Sequence, residues 1–571
     1  MKKEKLFNNE SMKLFFMLCG YFLISYVLYT LCKIIRFRNC LEFIQIFSII
    51  IPLIIYLVKM SPPKHNIKII IIICYLFLLT ILPYIYNKTY DLTIDGNSYH
   101  KTAIAFIKNG WNPFYEKSLN FQKDNKEVVS IDKNSKIDLW IEHYPKASWI
   151  SAAIIYNMTG NIESGKCITL IFSIMLLILS YNCLQIILSR KWSIFISLLL
   201  VLNPIVLSQF FTYYVDGIMG ICFAIEIFLL FLVNPMKKID KYLWGCIISV
   251  CTLFVNLKYT GLLYSGIIAA VFYFYWLIKY HKEKNFLIHF RNITIAFIIT
   301  FVTAIFVVGS SSYLKNTIEH HNPLYPLFGK DKVDIVTTMQ PKSFKNKSMG
   351  EKFILSIFSR TENVTYYSGN PKLKSPLKVY ANEVEQLMLP DVRIGGFGPL
   401  FALSLIISFI FFVLAVIFFI RNEKQNLNYI ILPVIAIVLS MILVGENWWA
   451  RYVPQFYFLL IGSIILMVYC FKYTNRKVYN FFTIIVILIL LLNIRYFLNN
   501  NYNLIKSFDT INSELKELQT MESVNLKLTT ESLYGYLYNL NDKNIKYNLV
   551  KSIDSKKLRY MYSWRLEVEQ K

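Results

Sequence analysis

Leu400-Phe-Ala-Leu-Ser-Leu-Ile-Ile-Ser-Phe-Ile-Phe-Phe-Val-Leu-Ala-Val-Ile-Phe-Phe-Ile420 holds no charged residue and ends on Arg421. An α-helix needs about 20 apolar residues to cross a hydrocarbon core about 30 Å thick. Similar runs fill residues 69–86 and 167–188. Of 571 residues, 56% are hydrophobic and 17% charged, whereas a soluble chain carries about 25% charged residues. The chain therefore reads as an all-α polytopic membrane protein.

The same reading outward from that run gives about thirteen spans. They lie at residues 13–33, 41–58, 69–86, 167–188, 192–210, 217–233, 243–257, 260–278, 293–308, 400–420, 429–444, 453–470 and 481–498. Residues 243–278 must be two spans, because one helix of that length would measure about 54 Å. Lys258-Tyr-Thr-Gly261 supplies the break. The first run follows Met-Lys-Lys-Glu-Lys, lacks a small-residue cleavage site and precedes further spans, so it is not read as a cleaved signal.

The formal net charge is +25. Most of the Lys and Arg sit in short loops between apolar runs, which is a topology pattern and argues against nucleic acid as a partner. Lys59, Lys64 and Lys68, Arg190-Lys191, the Lys237/Lys238/Lys241 group, residues 279–291, Arg421/Lys424 and Lys472/Arg476/Lys477 fall on one side with the N-terminus. By the positive-inside rule that side is cytoplasmic. Lys33, Arg36 and Arg38 run against the pattern. The expected layout is N-terminal spans (residues 1–86), a first external loop (87–165), spans (166–310), a second external loop (311–398), spans (399–498) and an external C-terminal domain (499–571). The protein would thus be multi-pass in a cell membrane, with its C-terminus outside. The ten cysteines lie in or beside apolar runs, so the long polar segments have no disulfides, and no CxxC pair suggests a zinc or redox centre.

In the first external loop, Asp95-Gly-Asn-Ser-Tyr-His100 begins just past a span. A helix is expected from Ser98, with Tyr99, Ala103, Phe106 and Ile107 on one face and Gly110 as its stop, lying along the membrane surface. Trp140-Ile-Glu-His-Tyr-Pro-Lys146 precedes the next apolar segment. Asp95, His100, Glu142, His143 and Lys146 would then share one interface. Transfer from a lipid-borne phosphate to a hydroxyl needs such groups. A carboxylate takes the acceptor's proton, or holds a divalent cation (Mg or Mn) that polarises the leaving phosphate. Cations neutralise that phosphate. Spacing alone makes no histidine metal site.

These segments, with Gly-Trp-Asn-Pro113, Asn-Leu-Lys-Tyr-Thr-Gly261 and Trp-Ala-Arg-Tyr-Val-Pro454, resemble the C-type (GT-C) polyprenyl-phosphate-dependent glycosyltransferase superfamily. Protein O-mannosyltransferases and the aminoarabinose transferase of lipid A belong to it. The resemblance implies many spans, surface-lying helices in the first large external loop, and a catalytic Asp there, which maps onto Asp95 as general base. It implies an inverting transfer from a polyprenyl-phosphate-linked sugar to a glycan, lipid or protein acceptor among membrane lipids. Two features depart from the family. The acidic loop follows the third span rather than the first, and Asp91 and Asp95, four apart, replace the usual paired acidic motif.

Each candidate also has a plainer role. Asp95 could cap the following helix. Lys258 and Arg451 could snorkel toward headgroups, with Trp448 and Trp449 as interface anchors, or hold the donor's phosphate. Asp216 could cap a span or line the same cavity. Glu226 lies within a span, either functional or paired with a neighbouring helix's hydroxyls. Gly160-Asn-Ile-Glu-Ser-Gly-Lys-Cys167 nearly matches a phosphate-binding loop but has Cys167 where a Mg-binding Ser or Thr is needed. The competing functions are a transporter or flippase of lipid-linked glycans, which predicts intramembrane charges and repeated halves, and an envelope polysaccharide polymerase.

Overall fold

A computed structural model describes residues 9–60, 65–330, 332–334, 336–422, 428–474, 477–530, 532–554, 557–562 and 565–569. Residues 1–5, Lys64, Lys424 and Arg476, which entered the charge pattern, lie outside the described residues. The chain is mostly helical. Among the described residues, eight helices are long and apolar enough to cross a membrane: Glu10–Ile34, Leu41–Lys59, Asn66–Tyr86, Ile162–Leu184, Tyr259–Tyr280, Phe286–Ser311, Phe401–Asn422 and Phe481–Gln519. Shorter apolar helices lie at Lys241–Leu257, Asn428–Val444 and Pro454–Cys470.

Packing leaves many large apolar side chains on the outside of the bundle. In Phe401–Asn422 the buried positions include Ser404, Ser408 and Ala415, while Phe409, Ile410 and Val413 face outward. Small residues let helix backbones approach, and large apolar ones meet lipid.

Three expectations need correction. The run at 192–210 is not one helix: Arg190–Val201 stops and Pro204–Ser208 restarts. Pro204 has no N–H to donate, and it pushes Asn203 into extended backbone, so the helix cannot continue through the pair. Twelve residues give about 18 Å. The second correction concerns the first polar loop. Its helix, Lys101–Lys108, does not lie on a surface: Ala103, Ile104, Ala105, Phe106 and Ile107 are all fully buried. Gly110, with φ +97, does end it. Third, the run at 481–498 continues as one helix, Lys477–Gln519, about 65 Å long.

That long helix carries a small α/β unit. Strands β1 (Val524–Leu528), β2 (Tyr547–Leu549), β3 (Leu558–Met561) and β4 (Leu566–Glu569) form one sheet in the order β2-β1-β4-β3. β1 and β2 pair in parallel around the helix Gly535–Asn541, and the other pairs are antiparallel. Val524, Leu526, Leu566 and Val568 supply the buried face.

The helix Gly535–Asn541 docks on the first polar loop. A Cβ on Gly535 would lie 2.6 Å from Asn97 Cα, so this approach requires glycine. Lys101 Nζ reaches Glu163 Oε1 (2.5 Å) and Asn539 Oδ1 (2.9 Å), and Lys166 Nζ reaches Glu163 Oε2 (2.6 Å). The near-match to a phosphate loop is therefore a buried ion triad that joins the loop to the C-terminal unit. The contrary cations join the same end of the molecule: Lys33 Nζ donates to the Gly110 carbonyl, and Arg36 covers the Tyr115 ring. Protein contacts hold both cations at that end. Among the described residues no cysteine forms a disulfide.

Candidate functional site

Two cavities stand out. The larger, about 340 Å³, lies among apolar side chains such as Ile227, Phe231, Phe412 and Leu466. The smaller, about 200 Å³, is lined by Asp95, Tyr99, His100, Asp216, Lys258 and Arg451, with Asp391, Arg393 and several aromatic rings. A binding site needs a few convergent polar groups as well as concavity, and only the smaller cavity has them.

Asp95 sits where a five-residue π-helical turn, Gly96–His100, begins. Such turns are uncommon and recur at functional sites. A Cβ on Gly96 would lie 2.0 Å from Asp91 Oδ2, so the turn closes tightly over Asp91. Asp91 itself is structural: its carboxylate accepts from the backbone N–H groups of Thr93 (2.8 Å) and Tyr213 (2.7 Å). The side chain of Asp95 makes no capping bond. Its Oδ2 lies 3.5 Å from Arg451 NH1 instead, and at 28% side-chain exposure it is the most open of the three cavity carboxylates.

Arg451 lies among those carboxylates. NH1 is 3.3 Å from Asp391 Oδ1, and Nε is 3.9 Å from Asp216 Oδ2. Trp449, Tyr214 and Tyr452 surround its guanidinium. Trp448 and Trp449 are buried, so they pack the protein rather than anchor it at an interface.

Asp216 opens the helix Asp216–Leu232, where a negative charge meets unpaired backbone N–H groups. Its Oδ1 accepts from Lys258 Nζ at 2.9 Å. Lys258 is the single extended residue (φ −162, ψ 154) between Lys241–Leu257 and Tyr259–Tyr280, as the expected break requires. A Cβ on Gly261 would lie 1.9 Å from the Phe254 carbonyl oxygen, so glycine permits this break. His100 Nδ1 accepts from Trp149 Nε1 at 2.7 Å, which leaves the ring's proton on Nε2. Burial pushes His100 down to about 3, so the ring is neutral and acts as a donor, not a cation. Burial pushes Asp391 up to about 6 against the pull of Arg451.

Glu142, His143 and Lys146 do not line this cavity. Glu142 accepts from Ser118 N–H (2.7 Å) and Oγ (2.9 Å). Lys146 Nζ donates to the Glu142 and Tyr144 carbonyls, both at 2.8 Å, and is 2% exposed. Burial pushes this ammonium well down. With its donors already engaged in backbone, Lys146 ties the loop rather than binding phosphate. His143 Nδ1 bonds Asn316. From the same motif, Trp140 and Tyr144 do reach the cavity. Glu226 accepts from Ser265 Oγ at 3.1 Å, the hydroxyl pairing across helices.

Asp391 and Arg393 were not singled out by the sequence. They come from the second polar loop, in Pro390-Asp-Val-Arg-Ile-Gly-Gly-Phe-Gly398. The dense glycines were the available signal: Gly395 and Gly398 adopt positive φ, and close turns before a span bring a loop back onto the bundle.

The donor set suits a guanidinium better than Mg or Mn, because Arg451 occupies the space among the three carboxylates. No protein-family model matches the chain, and no curated protein is significantly similar to it.

Proposed function

We propose that the chain is a C-type polyprenyl-phosphate-dependent glycosyltransferase with about thirteen spans, working on the external face of a cell membrane. One observation carries this reading. Asp95, Asp216, Lys258 and Arg451, drawn from four separate segments, converge on one cavity with aromatic walls at the polar end of the apolar helices.

In this reading Asp95, the most open carboxylate, takes the proton of the acceptor hydroxyl. The acceptor oxygen bonds to the sugar's anomeric carbon as the bond from that carbon to the phosphate oxygen breaks. One displacement inverts the anomeric centre. The lipid phosphate leaves with the bonding electrons, and Lys258 and Arg451 hold its charge. Asp216 positions both cations, through its bond to Lys258 and its proximity to Arg451. Trp140, Tyr144, Tyr214 and Tyr452 offer apolar faces to a sugar ring, and His100 offers an N–H. Residues 9–34 and 41–59 lie outside this chemistry.

The test is purified protein with a labelled polyprenyl-phosphate sugar. Wild type should transfer label to an acceptor, and Asp95→Asn should lose about 10²–10⁴-fold in rate. Full activity in Asp95→Asn removes it from the mechanism. Lipid translocation without transfer would favour a flippase.

A further inference from the structure

Away from the cavity, one imidazole of the first polar loop faces the second loop. His143, Glu319 and His320 each place a donor atom within 4.8 Å of the other two. They are the one such grouping of metal-ligating side chains among the described residues. We propose that His143, Glu319 and His320 bind one zinc-class divalent cation that clips the two loops together.

The hydrogen bonds around His143 prepare it as a ligand. Asn316 is fully buried, and its two amide N–H groups are shared among the Tyr325 carbonyl (3.0 Å), the His143 carbonyl (3.3 Å) and Tyr259 Oη (2.7 Å). Carbonyls only accept, so the amide nitrogen faces them and the amide oxygen faces His143. The His143 Nδ1 contact at 2.7 Å must therefore be a donated N–H. That leaves the lone pair on Nε2. An outer-shell partner that fixes the tautomer and the ring is the usual support of a metal-bound histidine.

The other two ligands can close in. His320 stacks on the Tyr325 ring at 3.7 Å and 8°, and its ring meets that of His143 at 4.9 Å. Glu319 Oε2 lies 4.0 Å from His320 Nε2. In a tetrahedral zinc site with bonds of about 2.0–2.1 Å, neighbouring donors stand about 3.3 Å apart. Glu319 is exposed and His320 half-exposed, so both have room to move, whereas Asn316 holds His143. Two imidazoles and one carboxylate favour zinc over Mg or Ca, which prefer all-oxygen shells. Three protein ligands leave a fourth position for water.

The clip would bear on the cavity wall. Tyr144 follows His143 directly and lines the cavity. Tyr259, next to Lys258, shares its hydroxyl proton between the carbonyls of His143 and Tyr325. The inference rests on none of the groups assigned to transfer, so either can fail alone.

The experiment uses full-length protein without a polyhistidine tag, stripped by chelator and titrated with Co²⁺, then Zn²⁺. We expect one Co²⁺ per chain with the visible absorption of a four-coordinate site, displaced by Zn²⁺, and a rise in unfolding temperature with Zn²⁺. Glu319→Gln and His320→Ala sit at the surface and should unfold like wild type without metal. Each should weaken Zn²⁺ binding by more than the about 10–100-fold lost with an outer-shell partner. No stoichiometric Co²⁺ or Zn²⁺ in wild type would overturn the proposal, as would unchanged binding in both variants.

Discussion

Arg451 has three carboxylates within 4 Å and a single guanidinium with which to answer them. That imbalance sets the chemistry expected at the residue scale. A lipid phosphate would compete with Asp391 and Asp95 for the same N–H groups. Below pH 6 Asp391 is protonated and gives up its claim on Arg451. The donor KM should therefore fall as pH drops from 7 to 5, and Asp391→Asn should flatten that profile. A profile unchanged in the variant would remove Asp391 from donor binding. Arg451→Lys keeps the charge but loses the planar fork, so it should raise donor KM more than Asp216-bound Lys258→Arg does. Asp95, Asp216, Lys258 and Arg451 were legible because each stands at the edge of an apolar run, where a charge is conspicuous. Glu142, His143 and Lys146 looked equally suitable, but partners within the first loop and, for His143 and Lys146, at Asn316 and Ser312 of the second absorb them. No one-dimensional pattern reports which way such a side chain turns.

At the element scale, eight of the thirteen expected runs coincide with described helices long and apolar enough to cross a membrane, because hydropathy measures what the bilayer selects. The break at Lys258 was readable as well, from length alone. The break at Asn203-Pro204 was visible as a dipeptide that ends helices, yet the apolar residues on both sides masked it. Gly261→Ala would place a methyl group on the Phe254 carbonyl and re-aim Lys258. It should lower stability by about 1–3 kcal/mol, the scale of overpacking, and raise donor KM; normal KM would show that Lys258's placement tolerates the shift. The triad Lys101–Glu163–Lys166 is wholly buried. Glu163→Gln strands two ammonium groups and should cost about 3–5 kcal/mol in unfolding free energy. Thermal unfolding in detergent checks this, and an unchanged midpoint would mean that water reaches the site.

For the whole molecule, segments far apart in sequence assemble as one unit. The C-terminal sheet, the first polar loop and the cations at Lys33 and Arg36 meet at one end of the bundle. Lys33 and Gly110 stand 77 residues apart, and Lys101 and Asn539 stand 438 apart, which is why the sequence suggested a separate tail domain and not the docking of Gly535 on Asn97. The central claim is that this assembled end holds a lipid phosphate between the acid at Asp95 and the cations at Lys258 and Arg451. A structure of the protein with bound polyprenyl phosphate tests it most directly. The account predicts phosphate oxygens within hydrogen-bond distance of Lys258 Nζ and the Arg451 guanidinium, with Asp95 facing the open side of the cavity. A phosphate bound elsewhere, with Lys258 and Arg451 still paired to Asp216 and Asp391, would contradict it.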